Sequence, residues 1–98
     1  MLNQVALLGE VVTIHQDTEG DTYLALAIER DHKDHEGKYL VDIIHCRVWK
    51  GMADSVRKYY KEGQYLSICG RLEENETMRN LVVAEKVAFA GRTTKGQE

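Results

Sequence analysis

The sequence predicts an all-β domain: five strands rolled into a small barrel, with one helix between the third and fourth strands. Three observations carry this. Apolar and polar residues alternate in strand fashion, most cleanly over 22–29 and 65–72. One stretch, 51–61, changes to helical spacing, with Met52, Val56 and Tyr59 or Tyr60 recurring on one side. Glycines and Asp/Asn/Glu clusters mark the boundaries, and the 98 residues contain no proline.

The first strand is expected over Gln4–Ile14. Val5, Ala6, Leu7 and Leu8 are apolar on both of its faces, so its outer side needs a partner. A polar turn over His15–Asp21, with Gly20, leads to a second strand at Thr22–Glu29. There Leu24, Leu26 and Ile28 point one way and Tyr23, Ala25, Ala27 and Glu29 the other. Arg30–Lys38 reads as a charged loop. The third strand, Tyr39–Trp49, offers Leu40, Ile44, Cys46 and Val48 to the core, interrupted by Asp42. Its opposite face is Tyr39, Val41, Ile43, His45, Arg47 and Trp49. Gly63 stands where it would cap the helix of 51–61. Tyr65–Leu72 is the fourth strand, with Leu66, Ile68 and Gly70 on one face. An acidic turn, Glu73–Arg79, leads to a fifth at Leu81–Phe89. Residues 1–90 are expected as one domain and 91–98 as a short, mobile polar tail.

Hydrophobic residues make up 43% and charged residues 30%, the balance of a soluble globular protein. No apolar run is long enough to cross a membrane as a helix, and the N-terminus lacks the pattern of a secretion signal, so a cytoplasmic protein is expected. Cys46 and Cys69 are too few for a disulfide scaffold. Both lie in apolar strand runs and are expected as buried free thiols. The net charge is −3, but it is unevenly spread. Residues 1–28 carry Glu10, Asp17, Glu19 and Asp21 with no Lys or Arg. Residues 45–71 carry six basic residues against Asp54 and Glu62. A basic segment in an acidic chain marks either an anion-binding face or the solvated side of a helix.

The order β-β-β-α-β-β is that of the five-stranded OB-fold barrel, an architecture often used to bind oligonucleotides or oligosaccharides. Specific residues point further. Asn3-Gln4-Val5-Ala6-Leu7-Leu8-Gly9, Leu24-Ala25-Leu26-Ala27-Ile28-Glu29-Arg30 and Asp42-Ile43-Ile44-His45-Cys46-Arg47-Val48-Trp49 follow one another in order. Tyr59-Tyr60-Lys61-Glu62-Gly63 and Gly70-Arg71-Leu72 come after them. Taken collinearly over residues 3–90, these segments resemble the strands, helix exit and hairpin start of bacterial single-stranded DNA-binding proteins. The resemblance implies a homo-oligomeric OB-fold, a tetramer ahead of a dimer. It implies a protein that coats single-stranded DNA in replication, recombination or repair, with no cofactor and no enzymatic activity. Bases stack on aromatic side chains and Lys and Arg hold phosphates. Replication or recombination proteins would be its further partners, with no membrane involved.

The chain departs from that pattern in several places. Ile43 stands where the family has an aromatic residue, and His32 falls near another such position. Glu62 replaces a usual Lys, and Glu73-Glu74-Asn75-Glu76-Thr77-Met78 replaces a basic, aromatic hairpin. The chain ends Lys95-Gly96-Gln97-Glu98 rather than in an acidic peptide closed by phenylalanine. These departures mark a diverged or specialised relative. They motivate a second reading, an OB-fold adaptor of primosomal type with weak or lost nucleic-acid binding. A third reading, a cold-shock-like RNA-binding module, is disfavoured because the aromatic-rich strand motifs of that class are missing from this sequence.

The expected nucleic-acid-binding residues are Trp49, Arg47, His45, Lys50, Tyr23 and Arg71. His45, Arg47 and Trp49 lie at alternate positions of one strand face, roughly 6.6 Å from one to the next at ~3.3 Å rise per residue. An indole stacks a base, and a guanidinium holds a phosphate. Tyr23 extends the platform if strands two and three pair, while Lys50 and Arg71 form a basic rim. The competing roles are structural. Trp49 could pack under the helix or at a subunit contact, and Arg47 could form a surface ion pair with Glu29 or Asp42. Of Tyr59 and Tyr60, only one can face the core. His32 and His35 are expected as solvated loop residues, with no metal bound. The two-faced apolar first strand is the expected oligomer contact.

Overall fold

A computed structural model of the chain describes residues 1–74 and 80–92. Its elements are β1 (Val5–Gln16), β2 (Thr22–Lys33), β3 (Tyr39–Val48), α1 (Lys50–Tyr59), β4 (Gln64–Glu73) and β5 (Leu81–Arg92). The strands close into a barrel in the order β1-β2-β3-β5-β4. All neighbours are antiparallel except β3 and β5, which run parallel over Cys46–Val48 against Val82–Ala84. This is the five-stranded OB-fold with its helix between β3 and β4, as the residue pattern predicts.

Inward alternation builds the core. Leu24 and Leu26 of β2, Cys46 and Val48 of β3, Leu66 and Ile68 of β4, and Val82 and Ala84 of β5 are all buried. The helix plugs the barrel with Ala53 and Val56, while Met52 and Tyr60 pack against the core. Tyr60 turns inward and Tyr59 is exposed, the division required of two adjacent residues on one helix. The strands run 10 to 12 residues and bend to close the barrel. The register shifts in β1 between Val11 and Thr13, and again where Cys69 and Gly70 of β4 pair with Lys86 and Ala84, leaving Glu85 of β5 as the extra residue. At the second, a side chain on Gly70 would collide with the Val83 carbonyl, so glycine lets β4 and β5 approach there.

Several expectations need correction. β2 continues to Lys33, into the stretch expected as loop. The turn that follows is held by Asp34, whose Oδ1 accepts from the Glu36 and Lys38 amides at 2.8 and 2.9 Å. Leu40 is exposed rather than in the core, because the first half of β3 overhangs the closed part of the barrel. Cys69 is exposed; only Cys46 is buried, and burial pushes its thiol up to about 12. Gly63 does not cap α1. Tyr60 ends the helix in an extended conformation, and Gly63 (φ 88°) turns the chain into β4, its amide donating to Val11 O at 2.9 Å. Tyr39–Trp49 loses its last residue to the helix N-cap. β5 extends to Arg92. Most of the expected acidic turn (75–79) and the end of the expected tail (93–98) lie outside the described residues.

Candidate nucleic-acid interface

The outer face of the sheet carries one cross-strand row through all five strands. His15 of β1 pairs with Tyr23 of β2, and Tyr23 pairs with Arg47 of β3. Arg47 pairs with Val83 of β5, which pairs with Arg71 of β4. With strands about 4.8 Å apart, the row spans roughly 19 Å. Tyr23, Arg47 and Arg71 therefore stand side by side because of long-range pairing, not sequence proximity.

At one end His15 stacks on Tyr23, with ring centroids 5.5 Å apart and planes 17° from parallel. The Tyr23 phenol is pushed up by its burial and then by the nearby charges of Asp17 and Asp21. It is thus a neutral ring with a hydroxyl donor.

In the middle, two guanidiniums converge on one carboxylate. Arg47 Nη2 donates to Glu73 Oε1 at 3.1 Å, and Arg71 Nε donates to Glu73 Oε2 at 2.9 Å. Arg71 also bridges to Glu85. The Arg71 hydrogen bond holds the Glu73 carboxyl below its usual range, reinforced by the charges of Arg71 and Arg47 and opposed by partial burial. The same bond raises the Arg71 guanidinium. The ion pair allowed for Arg47 thus exists, but with Glu73. Asp42 pairs instead with Arg30, through two hydrogen bonds of 2.9 Å.

Trp49 occupies the N-cap of α1. Its amide donates to Ala84 O at 3.1 Å, and its carbonyl accepts from the Met52 amide at 3.0 Å. The backbone is pinned while the side chain makes no capping bond and is 58% exposed. The indole lies over Gly51, where any Cβ would collide with the ring. Trp49 is therefore not a core residue under the helix. Lys50 begins α1 and is exposed, adding its charge to the positive end of the helix.

Arg47, Trp49, Lys50 and Arg71 line one open cleft of about 370 Å³, with Asp21 and Val83 in its walls. Four of the six expected residues meet there, and Tyr23 adjoins Arg47. His45 is exposed one step along β3, opposite Ala25 and outside the cleft. Two participants were missed. His15 was assigned to a turn, and the β1 irregularity hides its outward direction. Glu73 was noticed as an acidic departure, but its arginine partners are distant in sequence. Arg57, by contrast, is occupied with Thr22 and Asp54, satisfying the buried Thr22 hydroxyl.

Among the described residues, the grouping of three metal-type ligands is Asp17, Glu19 and Asp21 rather than the histidine segment. Asp17 Oδ1 there accepts the Glu19 and Asp21 amides at 3.0 and 2.9 Å, which shapes the β1–β2 turn.

Comparison with known proteins agrees with this architecture. Single-stranded DNA-binding protein 1 of Streptococcus pyogenes is 29% identical over 100 residues, covering 90% of this chain and 75% of its own. Single-stranded DNA-binding protein B of Bacillus subtilis is 28% identical, covering 90% and 86%. Among solved structures, a small single-stranded DNA-binding protein from Mycoplasma pneumoniae superposes with a TM-score of 0.72 at 21% identity, over 90% of this chain and 93% of its own. The sequence also matches the model of the single-strand binding protein family over residues 2–89. On that match, collinear with the five strands and the helix, the chain belongs to the single-strand binding protein family.

Proposed function

We propose that this chain binds single-stranded DNA without base preference, using the outer-face row and cleft as its interface. One observation carries the reading most. An exposed indole, two arginines and a lysine converge in one open cleft, in line with a stacked tyrosine–histidine pair. Rings offer π-faces to any base, and cations offer phosphate contacts that ignore sequence. Trp49 and Tyr23 are the stacking residues, Arg47, Arg71 and Lys50 the phosphate contacts, and His45 an outlying contact. The chain acts by binding, not by catalysis.

The same reading includes a closed homo-oligomer, a tetramer ahead of a dimer, in the cytoplasm, with replication or recombination proteins as partners. Its support is the apolar remainder of the outer face. Leu8 of β1 is 59% exposed, and with Tyr65 and Val41 it lines a second cleft of about 320 Å³. Several weak sites in one assembly gain from effective concentration.

The test is titration with oligo-dT at low and moderate salt, following Trp49 fluorescence. Saturable quenching that weakens with salt supports the reading. No quenching and no gel-shifted complex would shift the function to an adaptor that keeps the barrel without the ligand.

A further inference from the structure

We propose that Glu73 is a built-in anion competitor, occupying the seat that a backbone phosphate must take between Arg47 and Arg71. The inference rests on reading the cleft as a single-strand site, and it concerns how that site is controlled. A carboxylate and a phosphate are rivals for the same guanidinium forks. Glu73 engages both arginines at once, one through each of its oxygens. Glu85 holds Arg71 from the other side. The two arginines are thus matched by two carboxylates before any ligand arrives. Lys50 is exposed at the cleft, and Asp21 also lines it.

An approaching phosphate finds both arginines already paired with carboxylates. It gains two guanidiniums only by displacing a carboxylate already in hydrogen-bond contact. The binding step is an exchange of anions, and its net gain is smaller than the number of arginines suggests. A single phosphate has little advantage over the tethered carboxylate. A strand that also stacks on Trp49 and Tyr23 does have one. Glu73 thereby suppresses binding of isolated phosphates and favours a strand long enough to use the whole row.

The exchange also alters the salt dependence. Phosphates that bind cations release condensed counterions. A Glu73 carboxylate freed by the exchange takes a cation back from solution and cancels part of that release. The native slope of log K against log salt should therefore be shallower than a count of basic residues implies.

The experiment compares native protein, Glu73→Gln, Arg47→Ala/Arg71→Ala and the triple variant, each titrated with oligo-dT across a range of salt. Glutamine keeps the shape and removes the charge. Glu73→Gln should bind about two- to fivefold more tightly at low salt, with a steeper dependence of log K on log salt. The gain should vanish when Glu73→Gln is added to the double arginine variant. Equal or weaker binding by Glu73→Gln, or a gain that survives loss of both arginines, overturns the proposal. Failure of both native and Glu73→Gln proteins to bind removes the single-strand reading and the competitor with it. Native binding without a gain removes the competitor alone. A second measurement needs no variant: the Arg71 Nε–H resonance should shift when oligo-dT saturates the native protein. An unchanged resonance would show that Glu73 never leaves its seat.

Discussion

The two halves of β3 lie on one sheet face and ask for different partners. From Tyr39 to Ile43 the surface is apolar, with Tyr39, Val41 and Ile43 exposed and Leu40 exposed beside them. From His45 onward it is basic, and Arg47 is tied into an ionic cluster. The strand's alternation is the same in both halves. The neighbours differ. The first half pairs with β2, and the parallel seam to β5 begins only at Cys46. That seam brings β5, and behind it Arg71 and Glu73 of β4, beside Arg47. The character of each half is set by its own side chains, and the seam adds the ionic partner that ties Arg47 down. In the proposed function the apolar half meets another protein surface and the basic half an anion.

Both halves hang on one core, so the largest effect should come from inside it. Leu26→Ala should cost ~2–5 kcal/mol of stability, read by denaturant unfolding, because Leu26 is fully buried. Assembly and DNA binding should fall together only as the folded fraction falls. A change confined to the apolar region should separate them. If the proposed homo-oligomer forms through β1, Leu8→Glu should dissociate it in sedimentation velocity at a cost of about 1.5–3 kcal/mol per contact, the worth of a buried leucine, while leaving the fold intact. An unchanged oligomer would mean that β1 is not the contact. In the basic half, Trp49→Ala should lose ~1–3 kcal/mol of oligo-dT affinity with no loss of stability, since the indole is exposed. Loss of folding in that variant would make Trp49 structural. The smallest effect should come from Arg47→Ala. It should weaken binding about equally for all oligonucleotide sequences and flatten the salt slope by less than ~0.7, because Glu73 already neutralises part of the charge lost.

The fold was largely legible because it rests on local periodicity. The alternation of Leu24, Leu26 and Ile28, and the switch to helical spacing at Met52 and Val56, are written in consecutive residues. The expectation for Leu40 failed for a related reason: alternation gives a side chain's direction but not whether the barrel extends far enough to cover it. Cys69 is a second case, on an apolar strand but facing outward. For the proposed interface, the residue types in β3 singled out Arg47 and Trp49, and the β2–β3 pairing sets Tyr23 beside Arg47. The Glu73 clamp could not be read, since it depends on β3, β5 and β4 lying side by side, and their registers are set by tertiary closure. His15 was lost to one irregular residue in β1, where an offset of one reverses a side chain's face.

The parallel join between β3 and β5 is short, running from Cys46 to Val48 against Val82 to Ala84. Among the described residues, it is the one strand pairing without an antiparallel ladder. Arg47 stands on one bank of this join and Arg71 beyond the other, while the Trp49 amide crosses it to Ala84. A strand of nucleic acid gripping both arginines would therefore lie over the barrel's fastening like a clasp. In that arrangement the strand would add contacts to both banks of a join that is already closed without it.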